Sequence, residues 1–230
     1  MSLTHPLITT DNRARAMAVL ILLLLASCAR QPVLEPLEEP GGAPAQTFAW
    51  ECERNFAFVA REEGDAIWLF LPGHAVQIPR VEDGPGTSYQ GSDIRLNHQN
   101  GQASLELPDG NYEHCQNNTR RAAREHAKLN GVDFLATGNA PDWTLEITLD
   151  GVMRLVTGAD DTTYRFNTPE PVVIESEQKT LYSAQTPGHQ IVIELVGSSC
   201  RDASTNETHE VTVNISINDR RLKGCGGALH

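Results

Sequence analysis

The sequence predicts an all-β protein, with two small antiparallel β domains joined by a short helix and preceded by an export segment. Three observations predict it. Apolar and polar residues alternate at Ala103-Leu105-Leu107, Leu145-Ile147-Leu149 and Val211-Val213-Ile215-Ile217, the period of two that lines one face of a strand. Turn signals punctuate these runs at Pro72-Gly73, Asn100-Gly101, Pro108-Asp109-Gly110 and Asp150-Gly151. Four of the cysteines fall into two groups, Cys52 with Cys115 and Cys200 with Cys225, one group in each candidate domain.

The 230 residues are 40% hydrophobic and 6% aromatic, with a net charge of -12. A mean hydropathy of -0.34 argues against a multi-span membrane protein. The negative charge argues against non-specific nucleic-acid binding, because phosphate would be repelled. A basic or neutral partner fits the charge.

Residues 1–27 read as a signal peptide. Arg13 and Arg15 precede an uncharged apolar run, Ala16 to Ala26, of 11 residues. That is too short to span about 30 Å of hydrocarbon but fits a signal-peptide core. It ends at Leu25-Ala26-Ser27-Cys28, which resembles the bacterial lipobox, so Cys28 is expected to be acylated and held on a membrane. Ala29 follows instead of Asp, which favours the outer membrane, facing the periplasm. Residues 28–46 carry Pro32, Pro36, Pro40, Pro44 and Gly41-Gly42 without an apolar period, the composition of an extended tether.

Residues 47–116 form the first domain. The continuous apolar run Ile67-Trp68-Leu69-Phe70-Leu71 has strand length, and turn signals at this spacing leave room for seven or eight short strands. A small barrel whose first and last strands are bridged is the expected architecture. Three pairings of the four cysteines are formally possible; export favours disulfides, and Cys52–Cys115 with Cys200–Cys225 keeps each bridge inside one domain.

Residues 117–130 read as a connector helix, capped by Asn118 or Thr119 and stopped by Gly131. Arg120, Arg121, Arg124 and Lys128 oppose only Glu125, so it is the one positive element. Its basic face suits either contact with an anionic lipid or glycan or plain solvation of a linker. Residues 131–230 repeat the β signature, with a hairpin at Asp150-Gly151 and a further apolar face at Ile191-Ile193-Leu195. Trp143 alternates with Leu145 and Ile147 and so reads as core rather than as a ligand platform.

No P-loop, GxGxxG or GxSxG motif occurs, and the eight histidines lack ligand spacing. The acid pairs Glu62-Glu63 and Asp160-Asp161 sit beside turn residues and read as solvated loop charge. The sequons at Asn117, Asn206 and Asn214 mean little behind a bacterial lipobox. No metal, cofactor or enzymatic activity is predicted.

The order Ala49-Trp50-Glu51-Cys52, Phe56-Ala57-Phe58-Val59, Ala66-Ile67-Trp68-Leu69, Asp83-Gly84-Pro85-Gly86-Thr87-Ser88-Tyr89, Gly101-Gln102-Ala103-Ser104-Leu105 and Cys115 resembles the membrane-bound inhibitors of c-type lysozyme. The resemblance implies a small antiparallel barrel with a disulfide between terminal strands. It also implies a loop, here Asp83 to Tyr89, that enters the lysozyme cleft with Gln99 or Asn100 from a second turn. Gly86 and Tyr89 match the family's Ser-Gly-x-x-Tyr loop, with Tyr89 as an exposed anchor. Pro85 stands in the Ser position, and Gln99 or Asn100 where the family carries an inhibitory Lys. Residues 48–116 hold 4 basic and 11 acidic side chains, a balance that steers a cationic lysozyme towards the domain. Two functions follow: an envelope lipoprotein that inhibits c-type lysozyme, or an accessory outer-membrane lipoprotein that keeps the fold without inhibition. Gly138 to Ile147, Cys200-Arg201-Asp202 and Leu222-Lys223-Gly224-Cys225 resemble an uncharacterised bacterial envelope domain, which implies a fold and no activity.

Overall fold

The structure, a computed structural model, describes residues 44–158 and 162–230. The expected signal peptide, the expected Cys28 lipid site, most of the expected tether and the pair Asp160-Asp161 lie outside the described residues. Among the described residues no helix is long and apolar enough to cross a membrane.

The chain is all-β, as predicted, and its first domain is a closed barrel of eight strands. These are β1 (Gln46–Glu51), β2 (Ala57–Glu63), β3 (Ala66–Leu71), β4 (His74–Val81), β5 (Thr87–Gly91), β6 (Ile94–Gln99), β7 (Gln102–Leu107) and β8 (Gly110–Asn117). They run one residue beyond each predicted boundary. Each strand bonds antiparallel to its predecessor, and β8 returns to β1 through Trp50↔Asn117 and Glu51↔Gln116. That seam is short. The Cys52–Cys115 disulfide staples it, and Asn117 Oδ1 accepts from the Ala49 amide at 3.0 Å. Alternate residues point inward, among them Trp50, Phe58, Ile67, Leu69, Leu96 and Leu105, all within 1% of complete burial. Side chains just fill an eight-stranded barrel, so no lumen is left.

Helix α1 (Thr119–Leu129) follows, and Asn118 is its cap, its side chain accepting from the Arg121 amide. The helix lies along β1. That explains why Thr47 and Ala49, which point away from the barrel interior, are buried as deeply as Phe48 and Trp50. Its arginines reach both domains: Arg121 lies 3.8 Å from Glu51 of the barrel, Arg120 lies 3.5 Å from Glu207, and Arg124 donates to the Ala228 carbonyl at 2.7 Å.

The second domain is a curled sheet of nine strands. In chain order they are β9 (Phe134–Asn139), β10 (Asp142–Ile147), β11 (Val152–Thr157), β12 (Thr162–Asn167), β13 (Val172–Ile174), β14 (Lys179–Thr186) and β15 (His189–Val196). The two-residue strands β16 (Cys200–Arg201) and β17 (Thr208–His209) form a separate hairpin, and β18 (Val211–Ile217) and β19 (Arg220–Ala228) complete the sheet. Its order is β12-β11-β10-β9-β19-β18-β15-β14-β13. The C-terminal strand therefore inserts between β9 and β18. The Cys200–Cys225 disulfide ties the small hairpin to β19. Trp143 is core, as read from its alternation, and its indole lies against backbone: a Cβ on Gly138 would come within 2.2 Å of it, and one on Gly224 within 2.6 Å.

Candidate functional site: one mouth of the barrel

Because the barrel strands alternate in direction, three connections emerge at one end: Gly64-Asp65 after β2, residues 82–86 after β4, and Asn100-Gly101 after β6. The start of β1 lies at the same mouth. The structure thus brings Asp83, Gly84, Pro85 and Gly86 beside Gln99 and Asn100, all six exposed. Asn100 and Gly101 both take positive φ, 51° and 76°, the backbone that a two-residue hairpin turn requires. Gly86 is also constrained, since at φ +88° an added Cβ would meet the His98 carbonyl at 2.7 Å and Gln99 Cβ at 3.0 Å. The two connections are in contact there.

The 82–86 loop is held from below. Asp83 pairs with Arg95, and Ser88 Oγ donates to the Asp83 carbonyl at 2.7 Å. Asn97 donates to the Pro85 carbonyl at 3.3 Å and to Ser88 Oγ at 2.7 Å. A loop fixed in this way loses little conformational freedom when a partner docks.

Tyr89 corrects the sequence reading. It is 1% exposed and points into the barrel, because β5 begins at Thr87 and the pleat turns alternate residues inward. Ser88 is likewise buried and Thr87 half-buried. None of the three offers a surface anchor. The Tyr89 hydroxyl instead donates to Glu62 Oε1 at 2.7 Å, and His98 Nε2 lies 2.7 Å from the same oxygen. The rings of Phe48, Trp50 and Tyr89 surround His98 at centroid distances of 4.9, 5.9 and 6.2 Å.

Glu62 corrects a second reading, that of solvated loop charge. Burial raises its pKa, but the hydrogen bonds from His98 and Tyr89, with the charges of His98 and Arg80, outweigh burial and hold it below the usual carboxylate range. Burial and the neighbouring carboxylate push the Tyr89 phenol far up. Glu62 is therefore an ionised acceptor and Tyr89 a protonated donor at neutral pH. The alternation Phe58-Ala60-Glu62 and Leu96-His98 was the available signal for this network. The polar plug fixes the strands that carry the loops above it. Among the described residues no group of three His, Cys, Asp or Glu side chains gathers into a metal-binding arrangement.

The chain matches no protein-family model, no curated protein and no solved structure.

Proposed function

We propose that the protein is an envelope lipoprotein, anchored through acylated Cys28 at the outer membrane, whose barrel inhibits c-type lysozyme by inserting the 82–86 loop and the Gln99–Asn100 turn into the enzyme's cleft. The observation that carries this reading is the adjacency of those two exposed connections at one mouth of a closed, disulfide-stapled barrel. The acidic balance of the domain and the pinning of the loop support it. Asp83, Gly84, Pro85, Gly86, Gln99 and Asn100 form the contact, and Tyr89, Ser88 and Thr87 support it from beneath.

A second reading, an accessory lipoprotein without inhibition, draws on the side chains at the tip. Pro85 carries no donor, and the Gln99 and Asn100 amides carry no charge to meet a catalytic carboxylate. Titrating a c-type lysozyme with the protein separates the two: inhibition that rises to stoichiometry supports the first. Pro85→Ser with Gln99→Lys strengthens it, whereas a folded double variant that inhibits no c-type lysozyme leaves the accessory reading.

A further inference from the structure

At the C-terminal end of the connector helix, four side chains join it to the barrel, and their hydrogen-bonding roles are fixed from one end. Arg61 on β2 donates from Nη2 to Asn130 Oδ1 at 2.8 Å. A guanidinium only donates, so the Asn130 oxygen faces Arg61 and its amide nitrogen faces His126 Nε2, at 2.9 Å. That nitrogen also donates. Nε2 must therefore accept, and it carries no proton. The other ring nitrogen, Nδ1, lies 3.0 Å from Thr47 Oγ1 on β1 and holds the proton of the neutral ring. Turning the Asn130 amide over gives no escape, because its NH2 would then face the guanidinium.

We propose that Arg61, Asn130, His126 and Thr47 form an acid-sensitive clamp, and that a proton on His126 Nε2 breaks it and loosens the barrel from the connector helix. The surroundings oppose a second positive charge. Facing the ring are Arg61 from β2, Arg154 from β11 and Glu146 from β10. Glu146 is already engaged by Arg154 at 2.8 Å. Arg61 pairs with Glu63 at 2.5 Å and keeps a buried nitrogen, Nη1, without a hydrogen-bond partner. Burial and the Arg61 charge hold the imidazole below its usual 6.5, Arg154 adds to them, and Glu146 opposes.

The sign follows from linkage. A histidine held down in the folded state contributes stability above pH 6.5, and that contribution is lost as the pH falls towards the folded-state value. The helix has a second, apolar attachment: Ala127 packs with Val132, Leu229 and Leu135 of the following domain, a contact without titratable groups. Protonation of His126 therefore acts on the barrel side of α1 and leaves the Ala127 contact in place.

The test follows the full chain by NMR and by hydrogen exchange. The His126 ring should titrate below 6.5, and the Thr47 and Asn130 amides should move with the same midpoint. Between about pH 7.5 and about pH 5.5, and after correction for intrinsic rates, protection of β1 and the last turn of α1 should fall about threefold or more. His126→Gln, which keeps a neutral amide, should abolish that fall. A ring that titrates at or above 6.5 overturns the clamp, as does wild-type protection that does not change with pH. An equal fall in a folded His126→Gln protein overturns it too. If that variant does not fold, the wild-type ring and amide midpoints decide alone.

Discussion

In the barrel every strand bonds to the one before it, and only the β1–β8 seam joins distant parts of the chain. In the second domain the last strand, β19, returns between β9 and β18, so that sheet is incomplete until the C-terminus is in place. The edges differ accordingly. The barrel has none, whereas the curled sheet ends in β12 and in three-residue β13, where Val172 and Val173 are 61% and 62% exposed. Brevity and the preceding Pro171 keep that edge from templating further strands. The interiors differ as well. The barrel holds an ionised Glu62 with Tyr89 and His98 at its mouth, whereas the core of the second sheet is mainly apolar and aromatic, with the uncharged Thr157 buried among its inward-facing side chains. Two domains with one sequence signature thus differ in how they end their sheets, and only one carries a polar plug beneath adjacent exposed loops.

The largest expected effect is on that plug. Tyr89→Ala removes a buried ring and leaves Glu62 with His98 as its remaining donor, and should cost the barrel about 3–5 kcal/mol. Chemical denaturation followed separately in the two domains should show the barrel melting early and the curled sheet unchanged. Tyr89→Ala therefore reports on folding rather than on docking.

The disulfides should come next. Their closed loops span 63 and 25 residues, so loop entropy assigns about 4 kcal/mol to Cys52–Cys115 and about 3.5 kcal/mol to Cys200–Cys225. Paired Cys→Ala substitutions, measured by thermal melting, should open the barrel seam in the first case and free only the small hairpin in the second.

The pH response sharpens the contrast further. Because the Glu62 carboxyl is held down in the fold, its contribution is present above 4.5 and is lost as pH falls below that. Acid should therefore weaken the barrel before the second sheet, and Glu62→Gln should flatten that acid limb in melts between about pH 4.5 and about pH 3. Smallest is the cap. Asn118→Ala removes the acceptor for the Arg121 amide and should cost about 1 kcal/mol, seen as faster exchange in the first turn of α1.

Much of this fold was legible because period-two patterning and turn residues are local. The hairpins, the connector helix and a barrel of seven or eight strands follow from spacing, and the cysteine pairing from keeping each bridge inside one domain; the structure fixes the strand count at eight and the cap as Asn118 rather than Thr119. Insertion of β19 beside β9 was not legible, since nothing in Arg220 to Ala228 marks a partner some 90 residues upstream. The loop residues 83–86 with Gln99 and Asn100 were found in sequence, but the facing of Tyr89 and Glu62 was not. Tyr89 reads as loop until the start of β5 is fixed at Thr87. Glu62 reads as solvated beside Gly64 until β2 is seen to run on to Glu63. In both cases a strand that runs one or two residues further turns a residue read as loop into one that the pleat faces inward.

Under the proposed function the barrel mouth is the surface that meets lysozyme. Hydrogen exchange on the protein with and without excess c-type lysozyme tests it most directly. Protection is expected at residues 82–86 and at 99–101, none at the far end around Asn55 and Asp109, and it should be lost in a folded Gly84→Arg variant. Protection confined to the far end or to the curled sheet, or no change anywhere at lysozyme concentrations that saturate inhibition of other binders, would contradict it.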